Sequence, residues 1–280
     1  MQVASRISAM ASSGAPAEPY WGLYFEAEQA GCVVNMNKYA ATNTVNLECS
    51  RDGATWTDFD ANHNTGTTPV TLANVGDRVY FRTKGSTVGN PFATGDYQYR
   101  YFTLSKKAGA HGNIMSLAKG DEATTRIPAA NYFYALFDSC SNLTSAPDLP
   151  AISLKDNCYG SLFYDCSGLV SGPPILPSTT PFPGCYAYMF YGCSRLTAAP
   201  EIKGTEYAQY CYYKMFEGCS ALSSITVAFT QFSSSNNQFT DWVKGVAASG
   251  TFTCPTALGT NSTIARGTSK CPTGWTVVNF

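Results

Sequence analysis

From Tyr20 onward, apolar and polar residues alternate in short runs: "WGLYFEAE", "CVVNMN", "NTVNLECS", "TWTDFD", "PVTLANVGDRVYFRT" and "YQYRYFTLS". Gly, Asn, Asp, Thr and Pro separate them. A period of two broken by frequent turns predicts antiparallel strands, and this many of them predicts a sandwich or barrel. We read a β-sandwich over residues 20–105. Asp52-Gly53 lies between two runs and marks a hairpin, because Gly tolerates the positive φ of a tight turn.

The pattern then changes. The chain writes "YFYALFDSCSNLTSA", "CYGSLFYDCSGLVSG", "CYAYMFYGCSRLTAA" and "CYYKMFEGCSALSSI" in succession. Cys140, Cys166, Cys193 and Cys219 recur at spacings of 26, 27 and 26. Phe137, Phe163, Phe190 and Phe216 keep step with them, as do Leu143, Leu169, Leu196 and Leu222. Cys158, Cys185 and Cys211 form another column, with Tyr132 in its first slot. Pro147, Pro173 and Pro200 form a fifth, lost in the last copy. Self-similarity at this period predicts a solenoid, because one unit cannot bury its apolar edge but stacked units bury a shared one. A unit of this length falls in the leucine-rich range. Residues 106–280 are read as that solenoid with a C-terminal cap, and the four phenylalanines as one buried column. "LTSAP" and its copies are expected as short strands stacking about 4.8 Å apart in a parallel sheet. "GNIMSL" is expected as a preceding capping strand, and "GTFTCP" and "GWTVVNF" as closing strands.

These residues resemble the BspA-like leucine-rich repeats, whose units carry a phenylalanine, a "GC-x-x-L" and a downstream Pro. The wording is similar to "CYYxMFxGCxxLTxAPxLP", common in gut Bacteroidales and their bacteriophages. The segment "LECSRDGATWTDF…GDRVYFRT" resembles the strand-rich module often found before such repeats. "WVKGVAASGTFTCP…CPTGWTVV" is similar to the usual terminal cap. The resemblance spans roughly residues 20–280 and implies a binding scaffold without naming a ligand. Two departures bear on the outer face: the fourth unit runs into "SSITVAFTQF", and the spacer "EIKGTEYAQY" lacks the usual "LPATTLA" wording.

Composition narrows the class. Of 280 residues, 44% are hydrophobic but only 13% charged, with a net charge of −1. The surface must therefore be built from Ser, Thr, Asn, Gly and Tyr, as in extracellular and virion β-proteins. No basic block suggests nucleic acid. No run of eighteen apolar residues suggests a membrane span. The opening residues carry no apolar run of a signal peptide. Eleven cysteines cannot all pair with one another, which suits assembly in a reducing cytoplasm. Free buried thiols are the expectation for Cys32, Cys49, Cys254 and Cys271, with disulfides Cys32–Cys49 and Cys254–Cys271 the alternative.

Catalytic signatures are sparse. His63 and His111 lie far apart in turn-like text, and no C-x-x-C offers a zinc site. "SRDGATW" is similar to the hairpin of sialidase Asp-boxes but one residue short, and reads as a plain hairpin. No nucleophile elbow, phosphate loop or dinucleotide fingerprint is present. No cofactor is expected.

Tyrosine is the suggestive residue. If Met and Phe face inward in "CYAYMFY" and "YAQYCYY", some of these rings must face outward. Tyr186, Tyr188, Tyr191, Tyr212 and Tyr213 are the candidates for ligand contact, since Tyr is large, rigid and polar-tipped. At the other end, Val3, Ile7 and Met10 form one stripe of a short helix, and residues 1–19 are read as an attachment arm. The expected function is a non-enzymatic structural or adhesive protein of a bacteriophage virion: a fibre, a head-decoration protein or a tail appendage. Its expected partners are a capsid or tail protein through the arm, a host surface protein or glycan, and copies of itself. A secreted cell-surface adhesin of BspA type is the alternative, and an accessory module of a carbohydrate-active enzyme comes third.

Overall fold

The alternating runs become nine antiparallel strands in the computed structural model, which describes residues 21–62, 68–85, 90–95, 97–119, 124–233 and 235–280. Val3, Ile7, Met10 and His63 lie outside the described residues. The strands are β1 (Tyr24–Ala27), β2 (Cys32–Tyr39), β3 (Asn46–Ser50), β4 (Thr57–Asp60), β5 (Val70–Leu72), β6 (Arg78–Thr83), β7 (Ala93–Gly95), β8 (Gln98–Leu104) and β9 (Ala108–His111). They form a five-stranded sheet in the order β4-β3-β6-β1-β9 and a four-stranded sheet in the order β5-β2-β8-β7. Period-two burial is clearest in β2, where Cys32, Val34 and Met36 point inward. Phe25 and Phe81 of the first sheet meet Phe102 of the second at ring distances of 5.0 and 5.1 Å. The run at 69–83 breaks into two strands around Gly76, whose φ of 84° suits the turn.

β9 carries only Ala, Gly and His, so no β-branched pattern announces it. It closes the five-stranded sheet against β1 and turns its other edge to the repeats, where Ala108 bridges Leu143 in parallel. A Cβ on Gly109 would sit 2.5 Å from both the His111 ring and the Ser145 hydroxyl. Glycine lets the sheet approach this closely. The apolar core continues across the junction, with Phe137 stacked 5.8 Å from Phe102.

Each repeat is a chain of tight turns. A left-handed residue recurs every fourth position: Tyr210, Lys214 and Gly218 in the fourth unit, with φ of 57, 51 and 82°. Asn131, Ala135 and Ser139 occupy the same slots in the first. Asn, Asp and Gly, the residue types that tolerate this conformation most readily, fill many of these slots, among them Asn131, Asn157, Asp165, Gly192 and Gly218. Between them, alternate N–H groups point along the stack. Phe137 donates to the Leu162 carbonyl, Phe163 to Met189, Phe190 to Met215 and Phe216 to Trp242, at 2.8–3.0 Å. The remaining N–H groups close turns within the unit, as Met215 does to Tyr212 at 3.2 Å.

Equivalent side chains thereby stack. Phe137, Phe163, Phe190 and Phe216 are all fully buried, with successive rings 5.3, 5.3 and 5.5 Å apart and within 17° of parallel. This is the expected column. A second column runs beside it, through Phe133, Tyr159, Tyr186 and Tyr212, at 5.8, 6.2 and 5.9 Å. Thiols form a third: Cys166 donates to the Phe137 carbonyl, Cys193 to Phe163 and Cys219 to Phe190, at 2.9–3.0 Å.

Two expectations are corrected. In the first three units "LTSAP" and its copies give only isolated parallel bridges, among them Ser145 to Ser171 and Ala198 to Ser224; the fourth copy forms a strand. The short paired strands, β10 (Ile175–Leu176) and β11 (Glu201–Ile202), lie beyond the prolines. Proline lacks the N–H that a ladder needs. Where the fourth unit drops its Pro, β12 (Ser224–Thr226) lengthens and joins β13 (Thr251–Cys254) and β14 (Thr276–Asn279) in a parallel sheet. β13 and β14 are the expected closing strands. "GNIMSL" is a short 3₁₀ helix over Ile114–Leu117, capped by the Asn113 side chain accepting from Met115 N–H at 2.8 Å. Its four residues are all buried, so no face alternates.

All eleven cysteines are free and buried, including Cys32, Cys49, Cys254 and Cys271. Burial pushes the Cys140 and Cys158 thiols up to about 12 and Cys211 and Cys271 to about 11. A thiol-titrating disulfide reagent at mildly alkaline pH should therefore find almost no reactive cysteine in the native protein and eleven after denaturation. Two fewer would reveal a disulfide. Phe190→Ala should cost about 3–5 kcal/mol in denaturant unfolding, because it deletes a ring stacked on both sides. A loss below about 1 kcal/mol would show that the column is not what holds the units together.

Candidate functional site

The four-residue step sets which side chains reach solvent. In the third and fourth units residues enter and leave the core in adjacent pairs; in the first and second, Ala135, Gly160 and Ser161 hold the outward slots but are covered. In the third unit Cys185 and Tyr186 are buried, Ala187 and Tyr188 face outward, Met189 and Phe190 are buried, and Tyr191 and Gly192 face outward. Tyr186 and Tyr212 are 1% and 0% exposed. They belong to the stacked aromatic column and are removed from the ligand-contact set. A period-two reading places Cys and the following Tyr on opposite faces; the turns put both inside. Tyr188, Tyr191 and Tyr213 do face outward and remain partly exposed.

These three join a larger band of tyrosines. Tyr188 meets Tyr213 edge-on at 5.2 Å, and Tyr213 meets Tyr210 at 5.4 Å. Tyr191 stacks on Tyr164 at 4.8 Å with the rings 4° from parallel. Toward the sheets, Tyr134 contacts Tyr99 of β8 at 6.1 Å, and Tyr99 contacts Tyr39 of β2 at 5.6 Å. Tyr97, 77% exposed, stands beside them.

Two depressions open along this band. One, of about 540 Å³, lies between Tyr97, Tyr99, Asp138 and Tyr164. The other, of about 460 Å³, lies between Asn157, Pro183, Tyr210 and Tyr213. Tyr134, Ser161 and Tyr188 line both, so the two are halves of one groove. Its floor is low because the second unit carries Gly160 and Ser161 where its neighbours carry Tyr134 and Tyr188. Among the described residues no Lys, Arg or His lines either half.

Asp138 is the groove's charged group. It accepts a hydrogen bond from the Tyr99 hydroxyl at 2.9 Å. Burial raises its carboxyl above the ordinary carboxylate range, and burial together with Asp138 raises the Tyr99 phenol. Beyond the groove, Glu217 pairs with Lys214 at 3.2 Å and Lys244 at 2.9 Å. Among the described residues no cluster of three or more His, Cys, Asp or Glu is arranged to hold a metal. His111 packs on Tyr24 at 5.2 Å, in β9.

Of the sequence candidates Tyr188, Tyr191 and Tyr213 face outward, and Tyr188 and Tyr213 line the groove; Tyr97, Tyr99, Tyr134, Asp138 and Tyr164 line it too and were not among the candidates. The signal that finds three of the missed residues is the paired pattern itself, in which Tyr134, Asp138 and Tyr164 hold outward slots. Tyr97 and Tyr99 come from the sheet region and join only through folding.

Asp138 makes a pH prediction. A carboxyl raised in the folded state binds its proton more tightly there, so stability falls as pH climbs from the unfolded Asp value of about 3.9. Asn at this position still accepts from Tyr99 and cannot ionise. Melting curves should show Asp138→Asn gaining on the parent protein between about pH 4 and about pH 7. A difference that stays constant with pH would show that this carboxyl is not strained by burial.

Compared with protein-family models, curated proteins and solved structures, the chain matches none, so its own geometry carries the functional reading.

Proposed function

We propose that the protein is a non-enzymatic adhesive component of a bacteriophage particle, built as a β-sandwich followed by a BspA-like leucine-rich solenoid. The solenoid reading is supported by units that repeat every 26 or 27 residues and hydrogen-bond forward, each to the next. The sandwich reading is supported by two antiparallel sheets that share Phe25, Phe81 and Phe102. The adhesive role rests on one observation: outward tyrosines form a continuous groove from the sheets across the repeats. Large rigid rings with polar tips recognise a partner at low entropic cost, since little rotamer freedom is left to lose. Eleven free thiols suit a chain that folds in a reducing cytoplasm, where phage particles are assembled. The arm with Val3, Ile7 and Met10 is proposed to dock on a capsid or tail protein.

Binding of labelled protein to Bacteroidales cells tests this. Tyr188→Ala and Tyr213→Ala copy residues that sister units already carry, Ala135 and Ala187, so the double variant should unfold at the parent temperature. Its cell binding should drop about tenfold or more, the loss expected when contact rings are truncated. Parent-level binding by a folded double variant would reduce these rings to packing. A parent protein that binds no cells would remove the adhesive role.

A further inference from the structure

The groove specifies the chemistry of its occupant. We infer that it takes an extended chain of neutral sugars, an inference that rests on reading the tyrosine face as the ligand site. Four observations lead there.

The first is the lining. Tyr97, Tyr134, Tyr188 and Tyr213 line the groove together with short polar groups, Ser161 and Asn157. A pyranose has one flat face of slightly positive C–H groups, which fits the negative face of an aromatic ring, and an equatorial rim of hydroxyls, which fits the polar groups. The second is charge. Among the described residues Asp138 is the one carboxylate that lines the groove and no cation lines it; Lys214, whose Nζ lies 5.7 Å from the Tyr213 ring, is paired with Glu217. A carboxylate accepts hydrogen bonds from sugar hydroxyls and repels uronates, sialic acids, sulfated chains and nucleic acid.

The third is shape. Two depressions of about 540 and 460 Å³ meet at Tyr188 and follow the stacking direction, a trough for a chain rather than a pit for one small molecule. The fourth is the backbone. Alternate N–H groups and their carbonyl partners are consumed between units, and the rest close turns within them. A peptide adding as a strand finds no free edge here, whereas a glycan asks only for side chains.

Native gels cast with soluble polysaccharides test the inference directly. Mixed-linkage β-glucan, xylan and galactomannan serve as neutral probes, and polygalacturonate and heparin as anionic ones. At least one neutral probe should retard the intact protein, neither anionic probe should, and the Tyr188→Ala/Tyr213→Ala variant should migrate freely in all. Retardation by the anionic probes alone, by none, or equally in the variant overturns the inference. Fixed Bacteroidales cells separate this failure from failure of the adhesive reading. Periodate cleaves the vicinal diols of sugar rings, so it should abolish cell binding. Loss on periodate treatment alone identifies a free polysaccharide, and loss on both periodate and protease treatment a protein-linked glycan. Tyrosine-dependent cell binding that survives periodate and is lost to protease overturns the sugar chain and leaves the adhesive role in place, with a protein as ligand.

Discussion

The structure of the repeats depends on one constraint: alternate N–H groups must reach the carbonyls of the next unit while the chain keeps turning. A left-handed residue every fourth position meets it. Each such residue other than glycine costs of order 1–3 kcal/mol of backbone strain. The same step aligns equivalent side chains at stacking distance, so the strain is offset by rings buried on both faces. The thiol column shows how exactly the space is used. Cysteine is small enough for the gap between units and still donates to a phenylalanine carbonyl that the preceding unit's cysteine already occupies: Cys193 Sγ and the Cys166 backbone N–H both donate to the Phe163 carbonyl.

This explains what was legible in the sequence. Columns of Phe, Cys and Leu could be read because a ladder makes the same demand at the same slot in every unit. Phe137, Phe163, Phe190 and Phe216 are buried for that reason. The direction of individual tyrosines could not be read from the standard periods. Two and 3.6 both misplace a chain that turns every four residues and buries its side chains in pairs. Tyr186 and Tyr212 follow Cys directly and are carried inside with it. Proline misled in the opposite sense. Pro147, Pro173 and Pro200 keep step as faithfully as the cysteines, yet they mark where strand pairing is blocked rather than where it occurs. In the sheets, alternation sufficed for strands rich in Val, Phe and Tyr and failed for β9, whose Ala and Gly are chosen for closeness to the first repeat.

The groove itself crosses the junction between sheets and repeats. Tyr99 belongs to β8 and Asp138 to the first repeat, and their hydrogen bond joins the two. Phe102 and Phe137 stack directly beneath this region. A ligand spanning the groove would therefore touch both parts of the molecule, held in register by a common core. Sequence separation hides such a site: 39 positions divide Tyr99 from Asp138.

The ladder also divides labour among the side chains. Inward pairs are nearly invariant between units: Cys with Tyr, then Leu or Met with Phe. Outward pairs change freely, from Tyr134-Ala135 to Gly160-Ser161, Ala187-Tyr188 and Tyr213-Lys214. Because the backbone hydrogen bonds are largely spent on stacking and turning, recognition falls to these outward pairs. Each can be rewritten without disturbing the columns behind it, provided the left-handed slot accepts the new residue. Ala135, Ser161, Tyr188 and Lys214 all occupy that slot, with φ between 51 and 57°. So wide a range of size and charge at one strained position shows that stacking, not the local preference of the residue, fixes the backbone there. The chemistry of the groove is thereby free to follow its ligand.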